Sequence, residues 1–182
     1  MFERIKESLK HKPSIYGNYI TRNSFISNYK AEVQGVLLGG TFNNQFTLAI
    51  GYNWLKTKFE STQKDGIQTN LKLRYISPYM EYSFLEKNNI EVTVPVYLGL
   101  GFSSYESNTK QQFNKQFILL YEPSMTVTYR FFRYFGVSAG LGYRLLLLGN
   151  KKIHETINSP TYSLGLNLFF GTIYKDFKKI IQ

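Results

Sequence analysis

The chain has 182 residues, of which 43% are hydrophobic and 17% aromatic, with 22 Lys and Arg against 12 Asp and Glu and no cysteine. This apolar content excludes a disordered chain, the length fits one domain, and the missing cysteines exclude a disulfide framework. The formal net charge of +10 favours an anionic partner, either lipid or nucleic acid. The sequence has no spacing typical of a nucleic-acid-binding motif, so we expect no nucleic acid among its partners.

The first segment, residues 1–12, is predicted to form a short amphipathic helix or a tail. Phe2, Ile5 and Leu9 recur at helical spacing with Lys and Glu between them. The segment lacks the apolar stretch of a signal peptide, so an exported protein would need a leader that was removed or lies upstream. No later segment is both long and apolar enough for a transmembrane helix. If the chain enters a membrane, we therefore expect a closed β-barrel, which leaves no backbone group unpaired in lipid.

The rest of the chain alternates between apolar and small polar residues, which predicts β-strands. The clearest stretch is 45–59, where bulky residues from Phe46 to Trp54 occupy every second position. In the fourth strand the apolar positions change phase, which predicts a bulge at 76–78. Eight strands are predicted in chain order: 13–22, 31–42, 45–59, 67–85, 90–103, 117–131, 135–148 and 161–174.

The connections between these strands alternate in length. Short turns are predicted at 43–44, 86–89 and 132–134, and longer polar connections lie between them, including 23–30 and 104–116. Short turns at one end and longer loops at the other are typical of an up-and-down membrane barrel. We therefore predict an all-β, eight-stranded antiparallel up-and-down transmembrane β-barrel with a short N-terminal amphipathic segment.

The composition of the two strand faces indicates whether lipid or water surrounds the barrel. One face is bulky and apolar, and the other carries Gly, Ser, Thr and isolated charges, whereas a soluble lipocalin-like barrel would turn its bulky side chains inward. Four acidic and four basic mid-strand residues are expected to form a paired network in a narrow lumen: Glu32, Lys72, Arg74, Glu81, Glu91, Glu122, Arg130 and Arg144. An aromatic rim at the lipid headgroups is predicted for Tyr52, Trp54, Tyr121, Tyr129, Tyr143 and Tyr162.

The strand-turn-strand GVLLGGTFNNQFTLAIGYNWL at 35–55, with the aromatic and glycine-rich strands that follow, resembles the small outer-membrane β-barrel proteins of Gram-negative bacteria, particularly uncharacterised barrels of Bacteroidota. The resemblance covers residues 13–175. It implies a location in the outer membrane, with 1–12 and 176–182 as periplasmic tails. It also implies contact with outer-membrane lipid and lipopolysaccharide, for which the candidate loop residues are Lys110, Lys115, Lys151 and Lys152.

Some barrels of this kind modify lipid A with His, Ser and acidic residues at the outer rim. His154 is the one histidine in a predicted loop, and its neighbour Glu155 would point to the opposite face of a strand. We therefore predict a non-enzymatic protein with no catalytic, metal or cofactor residues. An eight-stranded barrel has an interior just filled by side chains, so the lumen is expected to be plugged. The predicted role is a structural or interaction component, or an accessory subunit of a larger outer-membrane complex. The alternatives are a soluble ligand-binding barrel and a lipid A-modifying enzyme.

Overall fold

The computed structural model describes residues 2–26, 29–57, 60–62, 68–107, 112–149, 157–169, 172–173 and 176–177. A short helix, α1 (Phe2–Ser8), precedes nine strands. The strands are β1 (Ser14–Ile26), β2 (Tyr29–Phe42), β3 (Phe46–Leu55), β4 (Glu60–Thr62), β5 (Gln68–Lys87), β6 (Ile90–Ser107), β7 (Gln112–Arg130), β8 (Phe135–Leu148) and β9 (Ser159–Leu168). Among the described residues, no helix combines the length and the hydropathy needed to cross a membrane.

The strands close into a ring. Strands that follow one another in the chain pair antiparallel, except that β3 pairs with β5 and not with β4, and β1 also pairs with β9, at Arg22 with Ser163 and Asn23 with Tyr162. Both β3 and β4 pair with β5, with β4 beyond the end of β3, so these two segments occupy one position in the wall. The predicted eight-stranded antiparallel up-and-down barrel is thus confirmed.

Short turns lie at one end of the barrel, called here the short-turn end. The β2–β3 turn contains Asn43 and Asn44, with φ of 50° and 52°, and the β5–β6 turn contains Asn88 and Asn89, with φ of 47° and 68°. Asparagine tolerates positive φ, which a tight hairpin turn of this type requires. The helix α1 lies at the same end, since Ser8 Oγ is 3.4 Å from Gln45 Oε1. The opposite end is called here the long-connection end, after the connection between β8 and β9 at 149–158. The β1–β2 and β6–β7 connections at that end comprise only residues 27–28 and 108–111, so the longer connections predicted at 23–30 and 104–116 were wrong.

Apolar side chains cover the outside of the barrel. Leu38, Ile50, Leu141 and Leu164, from four different strands, are each about two thirds or more exposed. The residues that alternate with them point inward, and they include small or polar residues such as Gly51 and Ser163 as well as the buried Leu37. The predicted outward orientation of the bulky face therefore holds for these strands, and it yields an apolar outer wall.

Two local predictions were wrong. The pairs Ile76 with Leu100 and Tyr79 with Tyr97 keep one register, so β5 has no bulge at 76–78; the irregularity lies at Ser83 and Leu85. The strands also continue into stretches predicted as connections, because β1 extends to Ile26, β6 to Ser107, and β7 begins at Gln112. Polar residues can fill a strand wherever the neighbouring backbone supplies ladder hydrogen bonds, so polarity did not mark the strand ends.

Candidate functional site in the barrel interior

The interior at the long-connection end is an apolar core. Most of its residues lie in the strand segments at this end, Ile157 precedes β9, and all of them pack with little or no solvent exposure. The members are Ile26, Ala31, Val33, Leu55, Leu71, Leu73, Tyr75, Tyr105, Ile118, Leu120 and Ile157. Side chains of this size pack against one another in the interior of the barrel at this end.

A charged cluster lies across the middle of the barrel, and we call Arg22, Glu122 and Arg144 the ion cluster. Arg144 Nε donates to Glu122 Oε2 at 2.8 Å, and Arg22 Nη1 donates to Glu122 Oε1 at 3.2 Å. All three side chains are at most 4% exposed. One carboxylate therefore accepts hydrogen bonds from two guanidinium groups out of contact with bulk water.

Polar neighbours accept hydrogen bonds from further donors of the ion cluster, whereas Arg22 Nε and Arg144 Nη2 have no hydrogen-bond partner among the described residues. Arg22 Nη2 donates to Asn53 Oδ1 at 2.5 Å and to the Tyr75 hydroxyl at 3.1 Å. Arg144 Nη1 donates to Ser24 Oγ at 2.8 Å. The guanidinium of Arg22 also lies 4.1 Å from the ring centroid of Tyr97. Charges taken out of water need such hydrogen bonds to offset the cost of desolvation.

The interior at the short-turn end is a polar cavity of about 220 Å³. Its wall includes Tyr79 and Glu81, and Glu81 Oε2 accepts hydrogen bonds from the Tyr79 hydroxyl at 2.8 Å and from Thr93 Oγ1 at 3.0 Å. Arg130 lies on another side of the wall, with its guanidinium 3.8 Å from the ring centroid of Phe169. A cavity of this size and polarity has room for several water molecules. Arg22 lies at its boundary, so the ion cluster separates the cavity from the apolar core.

Five of the eight charges predicted for the lumen lie in the interior. Glu122 and Arg144 are in the ion cluster, and Glu81, Glu91 and Arg130 line the polar cavity. These five residues do not form one network. Among the ion pairs of the described residues, only that between Glu122 and Arg144 joins two of the predicted charges.

The prediction was wrong for the other three charges. Glu32 pairs with Lys56 Nζ at 3.2 Å, and Lys72 Nζ pairs with Glu106 at 3.0 Å, with partly exposed side chains on the outer wall. Arg74 is exposed and alternates with buried Leu73 and Tyr75, so it also points outward. Strand alternation, and not the charge itself, decides which side a residue faces.

Arg22 is an interior charge that the sequence pattern did not predict. Its signal was weak, because β1 alternates poorly, but Arg22, Ser24 and Ile26 occupy every second position and are all buried. The charged side chains of the ion cluster and of the cavity wall are Glu81, Glu86, Glu91, Glu122, Arg22, Arg130 and Arg144.

The residues proposed for an aromatic rim occupy different heights on the outer wall. Tyr52 and Trp54 lie near the end of β3, with ring centroids 5.9 Å apart, and Tyr143 pairs with Pro160 near the start of β9, so these lie toward the long-connection end. Tyr129 pairs with Ile90, the first residue of β6, and so lies at the short-turn end. Tyr162 and Tyr121 pair with Leu141 and Leu145, respectively, away from both strand ends.

Lys115, one of the lysines proposed for lipopolysaccharide contact, is exposed on β7, with Nζ 4.6 Å from the ring centroid of Phe102. The other proposed lysines and the loop histidine lie outside the described residues: Lys110, Lys151, Lys152 and His154. Within the described part of the chain, no three His, Cys, Asp or Glu residues are grouped to hold a metal ion.

Two hydrogen bonds attach Asp176, which follows β9, to the short-turn end of the barrel. Asp176 Oδ1 accepts a hydrogen bond from Arg133 Nη2 at 2.6 Å, and Asp176 Oδ2 accepts one from the Tyr134 hydroxyl at 3.0 Å. These hydrogen bonds to the carboxylate raise the pKa of both Arg133 and Tyr134. The β7–β8 turn thereby binds the carboxylate of Asp176.

Comparison of the ring with solved structures identifies its architecture. The structure is similar to that of Neisserial surface protein A, NspA, with a TM-score of 0.63 and 16% identity over 86% of this chain and 96% of NspA. It also resembles Ail, the attachment invasion locus protein of Yersinia pestis, in its complex with the heparin analogue sucrose octasulfate, with a TM-score of 0.50 and 16% identity over the same shares. The fold is that of the eight-stranded outer-membrane β-barrels.

This likeness extends to architecture and not to sequence. No protein-family model matches the chain, and no curated protein sequence matches it. Both NspA and Ail are outer-membrane proteins of Gram-negative bacteria, in agreement with the predicted location. At 16% identity the comparison shows the fold, and the interior must be interpreted from its own residues.

Proposed function

We propose that the protein is an outer-membrane β-barrel that does not conduct and that acts through its surfaces, as a structural or interaction component. The observation that carries this proposal is the ion cluster. Arg22, Glu122 and Arg144 lie buried across the middle of a closed ring of strands. A passing ion would have to separate charges that are paired out of water, and doing so costs several kcal/mol.

The outer wall supports a membrane location. Exposure of apolar side chains such as Ile50 and Leu141 to water is energetically unfavourable, whereas lipid acyl chains would cover them. A soluble ligand-binding barrel is disfavoured for the same reason. NspA and Ail share the fold and are outer-membrane proteins, which supports the same assignment. We infer that the long-connection end faces the cell exterior, and that the segments 1–12 and 176–182 are periplasmic.

The proposal includes no catalysis. The described part of the interior contains hydrogen-bonded charges and tyrosines but no nucleophile held beside a histidine base. The lipid A-modifying alternative depended on His154, which lies outside the described residues.

Two partners remain in the proposal. Contact with lipopolysaccharide is supported by the net charge of +10 and by the exposed Lys115. A larger outer-membrane complex, with this chain as an accessory subunit, would use the basic segments at the short-turn end. Co-purification from native membranes separates the two, because only a complex yields a stoichiometric protein partner. Kinship with barrels of Bacteroidota stays a prediction from the sequence.

Planar-bilayer recording tests the absence of conduction. Purified protein should insert without stable current steps, while a known porin prepared in the same detergent should give them. Electrophoresis with and without boiling, run on the same sample, tests the barrel, because a folded membrane barrel resists detergent until it is heated. A reproducible open channel from heat-modifiable protein would contradict the proposal, and protein that stays in the aqueous fraction without detergent would contradict the membrane location.

A further inference from the structure

Four neighbouring strands align an arginine and three aromatic rings on the outer wall. In the strand register, Trp54 pairs with Arg74, Arg74 with Phe102, and Phe102 with Phe117. Paired residues point to the same face of a sheet, so the four side chains form one row across β3, β5, β6 and β7. We call Trp54, Arg74, Phe102 and Phe117 the Arg74 row.

The Arg74 row lies at the boundary between two kinds of surface. Toward the short-turn end, the next outward residues of β5 are Ile76, Pro78 and Met80, all exposed. Toward the long-connection end, the next outward residue is Lys72, which pairs with Glu106. A change from exposed apolar to charged side chains along one strand marks the level of the lipid headgroups.

Arg74 differs from its charged neighbours in having no acidic partner among the described residues. Lys72 and Lys56 each pair with a glutamate, whereas Arg74 is exposed between Trp54 and Phe102. Lys115 adds a second cation, with its Nζ 4.6 Å from the Phe102 ring centroid. Arg74 and the neighbouring Lys115 therefore place two cations beside the aromatic rings of the row, and no described carboxylate pairs with Arg74.

We propose that the Arg74 row binds a phosphate of a phosphorylated glycolipid in the outer leaflet. The planar guanidinium can donate two parallel hydrogen bonds to one phosphate, and Lys115 would contribute a second positive charge. The exposed apolar residues directly below, such as Ile76, would contact the acyl chains of the same molecule, which selects a lipid over a free phosphate ion. This inference rests on the proposed outer-membrane location.

Native mass spectrometry of the intact protein in detergent, titrated with bisphosphorylated lipid A, tests this proposal. The wild type should retain one lipid A, and Arg74→Gln should weaken retention by about tenfold, the loss expected for a charge-assisted hydrogen bond. Lys115→Gln should weaken it less. Arg133→Gln, which removes an exposed arginine at the short-turn end, is the matched control and should bind as the wild type does.

The lipid series identifies the ligand chemistry. Dephosphorylated lipid A should bind the wild type as weakly as lipid A binds Arg74→Gln, and millimolar inorganic phosphate should not displace bound lipid A. Equal retention by Arg74→Gln and the wild type, or displacement by inorganic phosphate, would overturn the lipid site. Electrophoresis without boiling checks that each variant is folded. A heat-modifiable barrel that fails the lipid test contradicts this inference and leaves the proposed function standing.

Discussion

Arg144 and Glu122 lie on adjacent strands and form a hydrogen bond of 2.8 Å between Nε and Oε2 at the centre of the barrel, where Arg144 has no solvent exposure. The second oxygen of the same carboxylate accepts from Arg22 on β1, which is not a neighbour of β7 in the sheet. One anion thereby connects opposite parts of the wall across the lumen.

Removing the charge of Glu122 should strongly destabilise the barrel. In Glu122→Gln, two buried guanidinium groups lose their shared anion, so we expect the free energy of unfolding to fall by about 3–5 kcal/mol. Urea unfolding in phospholipid vesicles measures this change. Glu32→Gln is the control, because its pair with Lys56 is exposed on the outer wall and should contribute under about 1 kcal/mol. Equal effects of the two substitutions would contradict a structural role for the ion cluster.

Trp54 is the one tryptophan of the chain and reports on the outer wall without mutation. Because it lies in the Arg74 row, at the upper boundary of the apolar wall, we expect its fluorescence to be quenched by brominated lipids. Bromine near the headgroup should quench more strongly than bromine near the end of the acyl chain. Stronger quenching by the deep label, or none by either, would place Trp54 elsewhere and contradict the membrane boundary.

The β2–β3 turn should prefer residues that accept positive φ. Asn44 has φ of 52°, which glycine adopts freely and alanine does not. We expect Asn44→Ala to be less stable than Asn44→Gly by about 1 kcal/mol in the same urea assay. The comparison at one position removes differences in context, and equal stability of the two variants would show that the turn relaxes to another conformation.

Gly101 should not tolerate a side chain. A Cβ at this position would overlap the Arg74 carbonyl oxygen and the Cα of Tyr75 on the neighbouring strand, and backbone atoms cannot move aside without disturbing the ladder. We expect Gly101→Ala to lower the free energy of unfolding by about 1–3 kcal/mol.

Gly165→Ala is the matched glycine control for Gly101→Ala. The nearest atom to its added Cβ would be Ser138 Oγ at 2.9 Å, a side-chain hydroxyl that can rotate away. Its loss of stability should therefore be smaller. A loss as large as that of Gly101→Ala would show that backbone overlap does not set the cost.

The sequence was sufficient to predict the strands and their closure into a ring. Alternation with period two, as from Phe46 to Trp54, follows from backbone geometry and is visible in one strand at a time. The stretch 135–148 was predicted with the bounds that β8 has in the structure. Turn chemistry at Asn43 and Asn44 depends on local backbone conformation, so it too could be predicted without tertiary contacts.

The sequence pattern could not show which residues face the interior, and β5 illustrates the reason. Leu71 and Leu73 point inward to the apolar core, while Ile76 and Met80 point outward on the apolar wall. The change of phase in the sequence is therefore a change of surroundings along a regular strand, which resembles a bulge when only the pattern is seen.

Alternation along each strand, by itself, determined that this chain is a barrel with an apolar outer wall, because that signal is local. Only the tertiary structure decided that Arg22 lies inside with Glu122 while Arg74 lies outside beside Trp54. A charge has the same identity on either face, and the register of neighbouring strands and the closure of the ring set which groups it meets.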